Sequence, residues 1–339
     1  MRPAEFKEYL KVMIQAGLPV LVKGKPGIGK TDIVKQACKE LDIPCIVSHP
    51  AVSDPTDVKG MPWVQQIKGG GMEARWLPFG DIKQLVSHDK DTPIVNFLDD
   101  FGQSPPLVQA SYMQYILSGH LGEIHLSPNT VFIAATNRKE DKAAVTGILE
   151  PVKSRFACIV ELQVSADDWC EWALRNDMPP ELIAFIRYRP QMLEDFKATA
   201  DIVNSPCPRT VANVGKILKM GKVPEDLEYE VIAGAAGEGL AGEFIHYLRT
   251  FRSLPDPDLA LNAPESVKIP EDPGTMYAFS GAVSHRVNKK TMGNFIKLCG
   301  RFAPEFSVLT VRSATIRDET LKDTRAFIEW IAEHNEVLT

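Results

Sequence analysis

The residues with the clearest chemistry lie at positions 24–31, where the sequence reads Gly-Lys-Pro-Gly-Ile-Gly-Lys-Thr. This is the spacing of a phosphate-binding loop. Glycines let the backbone curl so that its N–H groups face phosphate oxygens, and the lysine reaches the β- and γ-phosphates. The threonine hydroxyl is a ligand for Mg²⁺. The pattern predicts a site for ATP and Mg²⁺ formed by Gly24, Pro26, Gly27, Ile28, Gly29, Lys30, Thr31 and Asp32.

The segments on both sides of this loop support the prediction. Residues 18–23 form a short apolar run, which is typical of a buried parallel strand. Residues 31–41 have helical spacing, and the helix dipole would add positive potential at the loop. The apolar face predicted for this helix consists of Ile33, Val34, Ala37, Cys38 and Leu41.

A second apolar run, residues 94–98, ends in the acids Asp99 and Asp100. A carboxylate at the end of a buried strand suits Mg²⁺, and Asp99 is predicted to hold the ion with Thr31, through the water shell of the metal. Asp100 is predicted to act as the general base that polarises an attacking water.

Two arginines supply candidate positive charge for a phosphoryl-transfer reaction. Arg155 lies just before a predicted fifth strand, and its planar guanidinium can donate paired hydrogen bonds to a γ-phosphate. We expect it to act on a nucleotide bound to a neighbouring subunit. Arg209 opens a helix predicted over residues 211–219 and is a candidate to reach back to the γ-phosphate, which would couple domain closure to the nucleotide state.

Composition limits the class of protein. The 339 residues suffice for two or three domains, and 44% of them are hydrophobic. The net charge of -6 makes nucleic acid an unexpected partner, although a local basic pore is compatible with it. Six scattered cysteines without a C-x-x-C pair argue against a zinc site. We expect free thiols, no membrane span and a cytoplasmic location.

Strand-like and helix-like segments alternate over residues 1–162, which predicts a parallel α/β sheet. Residues 165–252 are predicted to be helical, and the proline-rich residues 253–274 a linker or extended crossover. The last helix is predicted over Asp318–Glu333. Its buried face is predicted to hold Leu321, Phe327, Ile328 and Ile331. The five strands are expected at Val20–Lys23, Cys45–Ser48, Ile94–Asp99, Thr130–Ala135 and Ala157–Leu162.

In this order the motifs resemble those of the AAA+ ATPases, over about residues 5–220. The loop at 24–31 matches Walker A, and Asp99-Asp100 matches Walker B. The buried run at 131–135 ends in Thr136-Asn137 and resembles the sensor 1 strand, whose terminal asparagine helps to position the water. Arg155 matches the arginine finger and Arg209 matches sensor 2. By this resemblance the catalytic residues are Lys30, Asp99, Asp100, Asn137, Arg155 and Arg209.

Two predicted β-hairpins narrow the resemblance to the MoxR-like branch. One, within about residues 53–80, carries three consecutive glycines and resembles the helix-2 insert. The other, at about 119–127, resembles the hairpin before sensor 1. The sequence departs from the family in having Asp100 where many members have glutamate, which leaves the turnover rate open. It also has a C-terminal extension beyond a minimal member.

The resemblance implies a P-loop NTPase fold with a five-stranded parallel sheet of order 5-1-4-3-2, a helical lid and a helical extension. The implied domains are 1–163, 164–254 and 255–339. It also implies a ring, usually hexameric, that binds ATP and Mg²⁺ between subunits, with Arg155 acting in trans. MoxR-like proteins generally remodel partner proteins or help to insert metals and cofactors, often with a partner that carries a von Willebrand factor A domain.

Three alternatives stay open at this point. A DNA motor or loader shares the branch, but the second hairpin offers His120 and His125 and no lysine or arginine. An ATP-gated scaffold with little hydrolysis is suggested by Asp100. A small-molecule kinase would need an acceptor site, whereas the sensor and finger motifs point to water and a neighbouring subunit.

Overall fold

The computed structural model of the chain describes residues 1–66, 69–141, 147–196 and 201–334. Parts of three predictions lie outside these residues: positions 67–68 of the first hairpin, 197–200 of the lid and 335–339 of the extension. The chain divides into two compact units, Met1–Val164 and Ser165–Thr339. The further division of the second unit into lid and extension stays a prediction.

The first unit contains the nine described strands and the first six α-helices. The strands are β1 (Val20–Lys23), β2 (Cys45–Ser48), β3 (Met61–Gln66), β4 (Met72–Leu77), β5 (Ile94–Leu98), β6 (His120–Leu121), β7 (Ile124–His125), β8 (Thr130–Thr136) and β9 (Cys158–Glu161). The helices are α1 (Pro3–Gln15), α2 (Lys30–Glu40), α3 (Pro55–Lys59), α4 (Gly80–Ser87), α5 (Pro106–Ser118) and α6 (Glu150–Lys153).

Five of these strands form a parallel sheet in the order β2-β5-β8-β1-β9. Numbered as sheet strands along the chain and read from the other edge, this order is 5-1-4-3-2. The predicted fold class, an α/β P-loop NTPase sheet with helices, is therefore confirmed.

Both faces of the sheet are buried, because helices cover each of them, as a parallel sheet requires. On one face, Val95 and Phe97 belong to a core with residues of α1 and α2. On the other, Ile94 and Leu98 pack with residues of α3, α4, α5 and α6. Alternate residues of β5 thus pack into opposite layers of the core.

Two antiparallel hairpins project from this unit where the sequence predicts them. In the first, β3 pairs with β4, and Trp63 and Met72 are 60% and 70% exposed. At the base of this hairpin, Gly60 has a φ of 83°. A Cβ there would lie 2.6 Å from the carbonyl oxygen of Leu77, so only glycine fits. The second hairpin pairs β6 with β7.

The second unit is built from helices among the residues that the structure describes. They are α7 (Ala166–Arg175), α8 (Pro180–Tyr188), α9 (Pro208–Met220), α10 (Glu228–Ala236), α11 (Glu238–Arg252), α12 (Pro257–Asn262), α13 (Pro273–Arg286), α14 (Met292–Cys299), α15 (Pro304–Arg317) and α16 (Arg325–Glu333). Helix α13 packs on α8, and a Cβ at Gly281 would lie 3.0 Å from Ala184. The proline-rich segment predicted as a linker contains α12, whose Leu261 is buried.

The prediction of one helix over Asp318–Glu333 is wrong. A 3₁₀ helix covers Glu319–Asp323, and Thr324 is extended before α16 begins. Of the predicted face, Leu321 and Phe327 are buried and Ile331 is partly buried in the same core, so Ile328 is the one member that departs from it. Trp330 is buried, whereas Ile328 is 56% exposed.

The different burial of two aliphatic residues from the predicted face gives a stability prediction. Leu321 is fully buried, so Leu321→Ala should lower the free energy of unfolding by about 2–5 kcal/mol through lost burial and a cavity. Ile328→Ala removes a mostly exposed side chain and should change it by less than about 0.5 kcal/mol. Urea unfolding followed by circular dichroism measures both, and equal losses would contradict the assigned face.

Candidate active site

The phosphate-binding loop leaves β1 at the carboxyl edge of the sheet. The Gly24 amide donates to the Thr136 carbonyl (3.2 Å), and a Cβ at Gly24 would lie 3.1 Å from the Leu162 carbonyl. Gly29 caps the N-terminus of α2 with a φ of 95°, a left-handed conformation that favours glycine. The loop therefore ends at a helix N-terminus, whose backbone N–H groups suit an anion.

Lys30 lies inside this loop and is 7% exposed. Its ammonium donates to the carbonyls of Gly24 and Lys25, both at 2.9 Å, and to Oδ1 of Asn137 at 2.7 Å. A buried positive charge needs such oxygen partners, because desolvation is otherwise costly. The predicted lysine and the predicted sensor asparagine are thus in direct contact.

Asn137 also contacts the second acid of the Walker B pair. Its Nδ2 donates to Oδ1 of Asp100 at 3.2 Å, so the carboxamide lies between Lys30 and Asp100. Asp100 has a φ of 53°, in the left-handed region that aspartate enters more readily than glutamate. The local backbone therefore gives a physical reason for aspartate at this position.

Asp99 and Thr31 form the other half of the site. The Thr31 hydroxyl donates to Oδ2 of Asp99 at 2.8 Å, and the Asp100 amide donates to Oδ1 at 3.1 Å. Oxygen atoms of a hydroxyl and a carboxylate are the ligands that Mg²⁺ prefers. The two residues predicted to hold the metal are adjacent, and their chemistry fits the ion.

An ion-pair cluster next to Asn137 was missed by sequence reasoning. Arg138 donates to both carboxylate oxygens of the buried Asp141, at 2.8 and 3.0 Å, and lies 3.5 Å from Glu161. Glu161 in turn pairs with Lys23 at 2.9 Å. The cluster joins the residue after Asn137 to the ends of β9 and β1. The spacing of Arg138 and Asp141, three apart after a polar strand end, was the available signal.

Hydrogen bonds set the ionisation of this cluster. The Arg138 guanidinium holds the pKa of Asp141 below its usual value of 3.8, because its paired hydrogen bonds favour the carboxylate. The same hydrogen bonds raise the pKa of Arg138. The pair stays charged at neutral pH.

A buried polar chain behind the Walker B strand was also missed. Asn96, in the middle of β5, donates to the Ser48 hydroxyl at 2.8 Å. Ser48 donates to Oδ2 of Asp81 at 2.8 Å, in the first turn of the helix that follows the first hairpin. The sequence signal was a lone amide within an apolar strand.

Neither predicted arginine takes part in these contacts. Arg155 follows α6 and donates to the Ser154 hydroxyl at 3.1 Å, while its Nε is buried and has no hydrogen-bond partner among the described residues. Arg209 is exposed in the first turn of α9, in the second unit. Asp32 is exposed in the first turn of α2. Their roles stay predictions.

Two further features are absent from the described residues. No group of three or more histidine, cysteine, aspartate or glutamate side chains there could hold a metal ion. Within the same ranges, every helix is too short or too polar to cross a membrane.

No family model matches the sequence, and no curated protein matches it. Among solved structures, the chain is similar to the Thermotoga maritima RuvB Holliday junction branch migration motor, with 15% identity, a TM-score of 0.40 and 83% of this chain and 80% of that chain covered. NtrX from Brucella abortus has 14% identity and a TM-score of 0.39, covering 94% of this chain and 67% of that chain.

The Arg138–Asp141 pair predicts a pH dependence of stability. Because the pKa of Asp141 is depressed on folding, its contribution is present above pH 3.8 and is lost as the pH falls through the folded-state value. Asp141→Asn should lower the free energy of unfolding by about 1–3 kcal/mol at pH 7. Glu140→Gln, at an exposed partner of Arg138, should cost less than about 1 kcal/mol.

Urea unfolding at pH 7 and at pH 3 measures the effect, and the gap between wild type and Asp141→Asn should narrow at the lower pH. A gap of the same size at both pH values would show that the carboxylate charge is not what stabilises the pair.

Proposed function

We propose that this chain is an ATP-hydrolysing AAA+ ring protein of the MoxR type, which uses ATP binding and hydrolysis to remodel or activate a partner protein. The observation that carries the proposal is the contact of Asn137 with both Lys30 and Asp100. It joins the three motifs that hydrolysis needs: a phosphate cradle, a base and a group that orients water.

The residues at the loop fit Mg·ATP. The N–H groups at the start of α2 and the Lys30 ammonium would hold the β- and γ-phosphates, and Thr31 with Asp99 would hold Mg²⁺. When bound, the metal ion neutralises phosphate charge. Lys30 already has oxygen partners, so phosphate binding exchanges protein oxygens for phosphate oxygens at the same ammonium.

Asp100 and Asn137 would then act on the water. The Asp100 carboxylate accepts a proton from the water as its oxygen attacks phosphorus, and the bond from the γ-phosphorus to the bridging oxygen breaks to leave ADP and phosphate. Asn137 contacts both Asp100 and Lys30, so it links the proposed base to the phosphate-binding lysine. A neutral carboxamide suits this place because it can donate and accept at once.

The position of Arg155 supports action on a neighbouring subunit. Arg155 precedes β9, whereas the phosphate-binding loop and the Walker B acids follow their parallel strands. Arg155 therefore lies at the amino-terminal ends of the parallel strands, and the loop and the acids lie at the carboxyl-terminal ends. A strand of four residues, or about 13 Å, separates the two. Reaching the γ-phosphate of a second copy is the simpler geometry, and it implies a ring, which we propose to be hexameric.

The lid arginine and the partner complete the proposal. Arg209 lies in the first turn of α9, where a cation opposes the helix dipole, so helix stability does not account for it. We assign it to the γ-phosphate in the closed state. The exposed hairpin β3–β4, with Trp63 and Trp76, would contact the partner protein, for which a von Willebrand factor A-domain protein is the proposed class.

A subunit-mixing experiment tests action in trans. Lys30→Ala should abolish turnover by removing phosphate contacts, and Arg155→Ala should lower it by about 10³–10⁵. If Arg155 acts in trans, mixing the two inactive proteins creates subunit interfaces with an intact Lys30 from one copy and an intact Arg155 from the other. Turnover should reappear in the mixture, measured as phosphate release. A mixture of assembled particles that stays inactive would refute the shared site.

Substitution at Asp100 separates hydrolysis from an ATP-gated scaffold. Asn tolerates the left-handed backbone, so Asp100→Asn should keep the fold and ATP binding while turnover falls by about 10²–10⁴. Fluorescent-nucleotide titration and phosphate release measure the two properties. Wild-type particles that bind ATP without turnover would favour the scaffold instead.

A further inference from the structure

The second hairpin, β6–β7, carries a pair of histidines that the nucleotide site does not use. His120 and His125 are register partners on the two strands, and both are exposed. Their ring centroids are 5.1 Å apart, with an angle of 35° between the planes. We propose that this pair binds a divalent transition-metal ion of the Zn²⁺ or Cu²⁺ class, through one nitrogen from each ring.

The backbone fixes the separation of the two side chains. The turn between the strands consists of Gly122 and Glu123. At the end of the ladder away from this turn, the Leu126 amide donates to the Gly119 carbonyl at 2.9 Å. His120 and His125 therefore occupy the non-hydrogen-bonded position of the ladder, where side chains come closest. The hairpin is anchored by Ile124, which is buried in the core. The hairpin therefore sets the backbone separation of the two imidazoles before an ion binds.

The observed spacing agrees with chelation. A nitrogen lies about 2.0–2.1 Å from Zn²⁺, so each ring centre lies about 3.2 Å from the ion, and two rings at a tetrahedral angle are about 5.2 Å apart. The pair is at 5.1 Å, so the separation of the two rings already matches that of a chelating pair. Neutral imidazole is a preferred ligand of Zn²⁺, Cu²⁺ and Ni²⁺.

The surrounding charge is compatible with a cation. Residues 118–129 contain one carboxylate, Glu123, and no lysine or arginine. Since no third histidine, cysteine or acidic ligand joins the pair among the described residues, at least two coordination positions stay open to water or to a ligand from another molecule. An open site of this kind exchanges its ion, unlike a closed structural site.

Zinc binding to untagged, full-length protein tests the assignment. Isothermal titration with Zn²⁺ should show one site per chain that weakens about ten-fold or more in either His120→Ala or His125→Ala, because one imidazole loses the chelate advantage. His246→Ala, at an exposed histidine on α11, is the matched control and should bind as wild type does. Thermal unfolding without metal checks that each variant folds.

Electron paramagnetic resonance with Cu²⁺ gives a second readout. The wild-type spectrum should show coupling to two imidazole nitrogens, and each single variant should show one. Wild-type affinity in either single variant, or one-nitrogen coupling in the wild type, would overturn the proposal. Neither measurement depends on ATP hydrolysis, so the outcome is independent of the proposed function.

Discussion

The burial of the Lys30 ammonium is the constraint on which the site depends. A charge that is 7% exposed must be surrounded by oxygen atoms, and the loop carbonyls of Gly24 and Lys25 supply two of them only if the loop curls tightly. The third comes from Asn137, the residue that follows β8. The contact joins the end of β8 to the loop that leaves β1, so the arrangement of the strands also positions the groups around the ammonium.

The same constraint extends outward from the lysine. Asn137 reaches Asp100, and the next residue, Arg138, is tied to Asp141 and Glu161. A change in the oxygen atoms around the ammonium would therefore alter the contacts of Asp100 and of the ion pairs at the ends of β1 and β9. Such a short chain of contacts is a physical route by which phosphate occupancy could alter neighbouring segments, and it needs no long-range displacement.

Much of this architecture could be predicted because it is encoded locally. The apolar runs gave the five parallel strands within one or two residues, and the loop motif placed Lys30 and Thr31 together. The left-handed backbone at Asp100 and the Arg138–Asp141 pair could not be predicted, since they depend on loop geometry that residue spacing does not specify. The continuity of the last helix was wrongly predicted for the same reason: the extended Thr324 separates a 3₁₀ helix from α16, and residue spacing does not specify this break.

The tight root of the first hairpin has a mechanical consequence. With Gly60 pressed against the Leu77 carbonyl, the two strands cannot swing independently, and the hairpin behaves as a stiff arm. A strand of six residues is about 20 Å long, so a tilt of about 10° at the root displaces the far end by about 3.5 Å. Small adjustments at the base of the hairpin are thus magnified into movements as large as an atomic diameter at its far end, where Gln66 pairs with Met72.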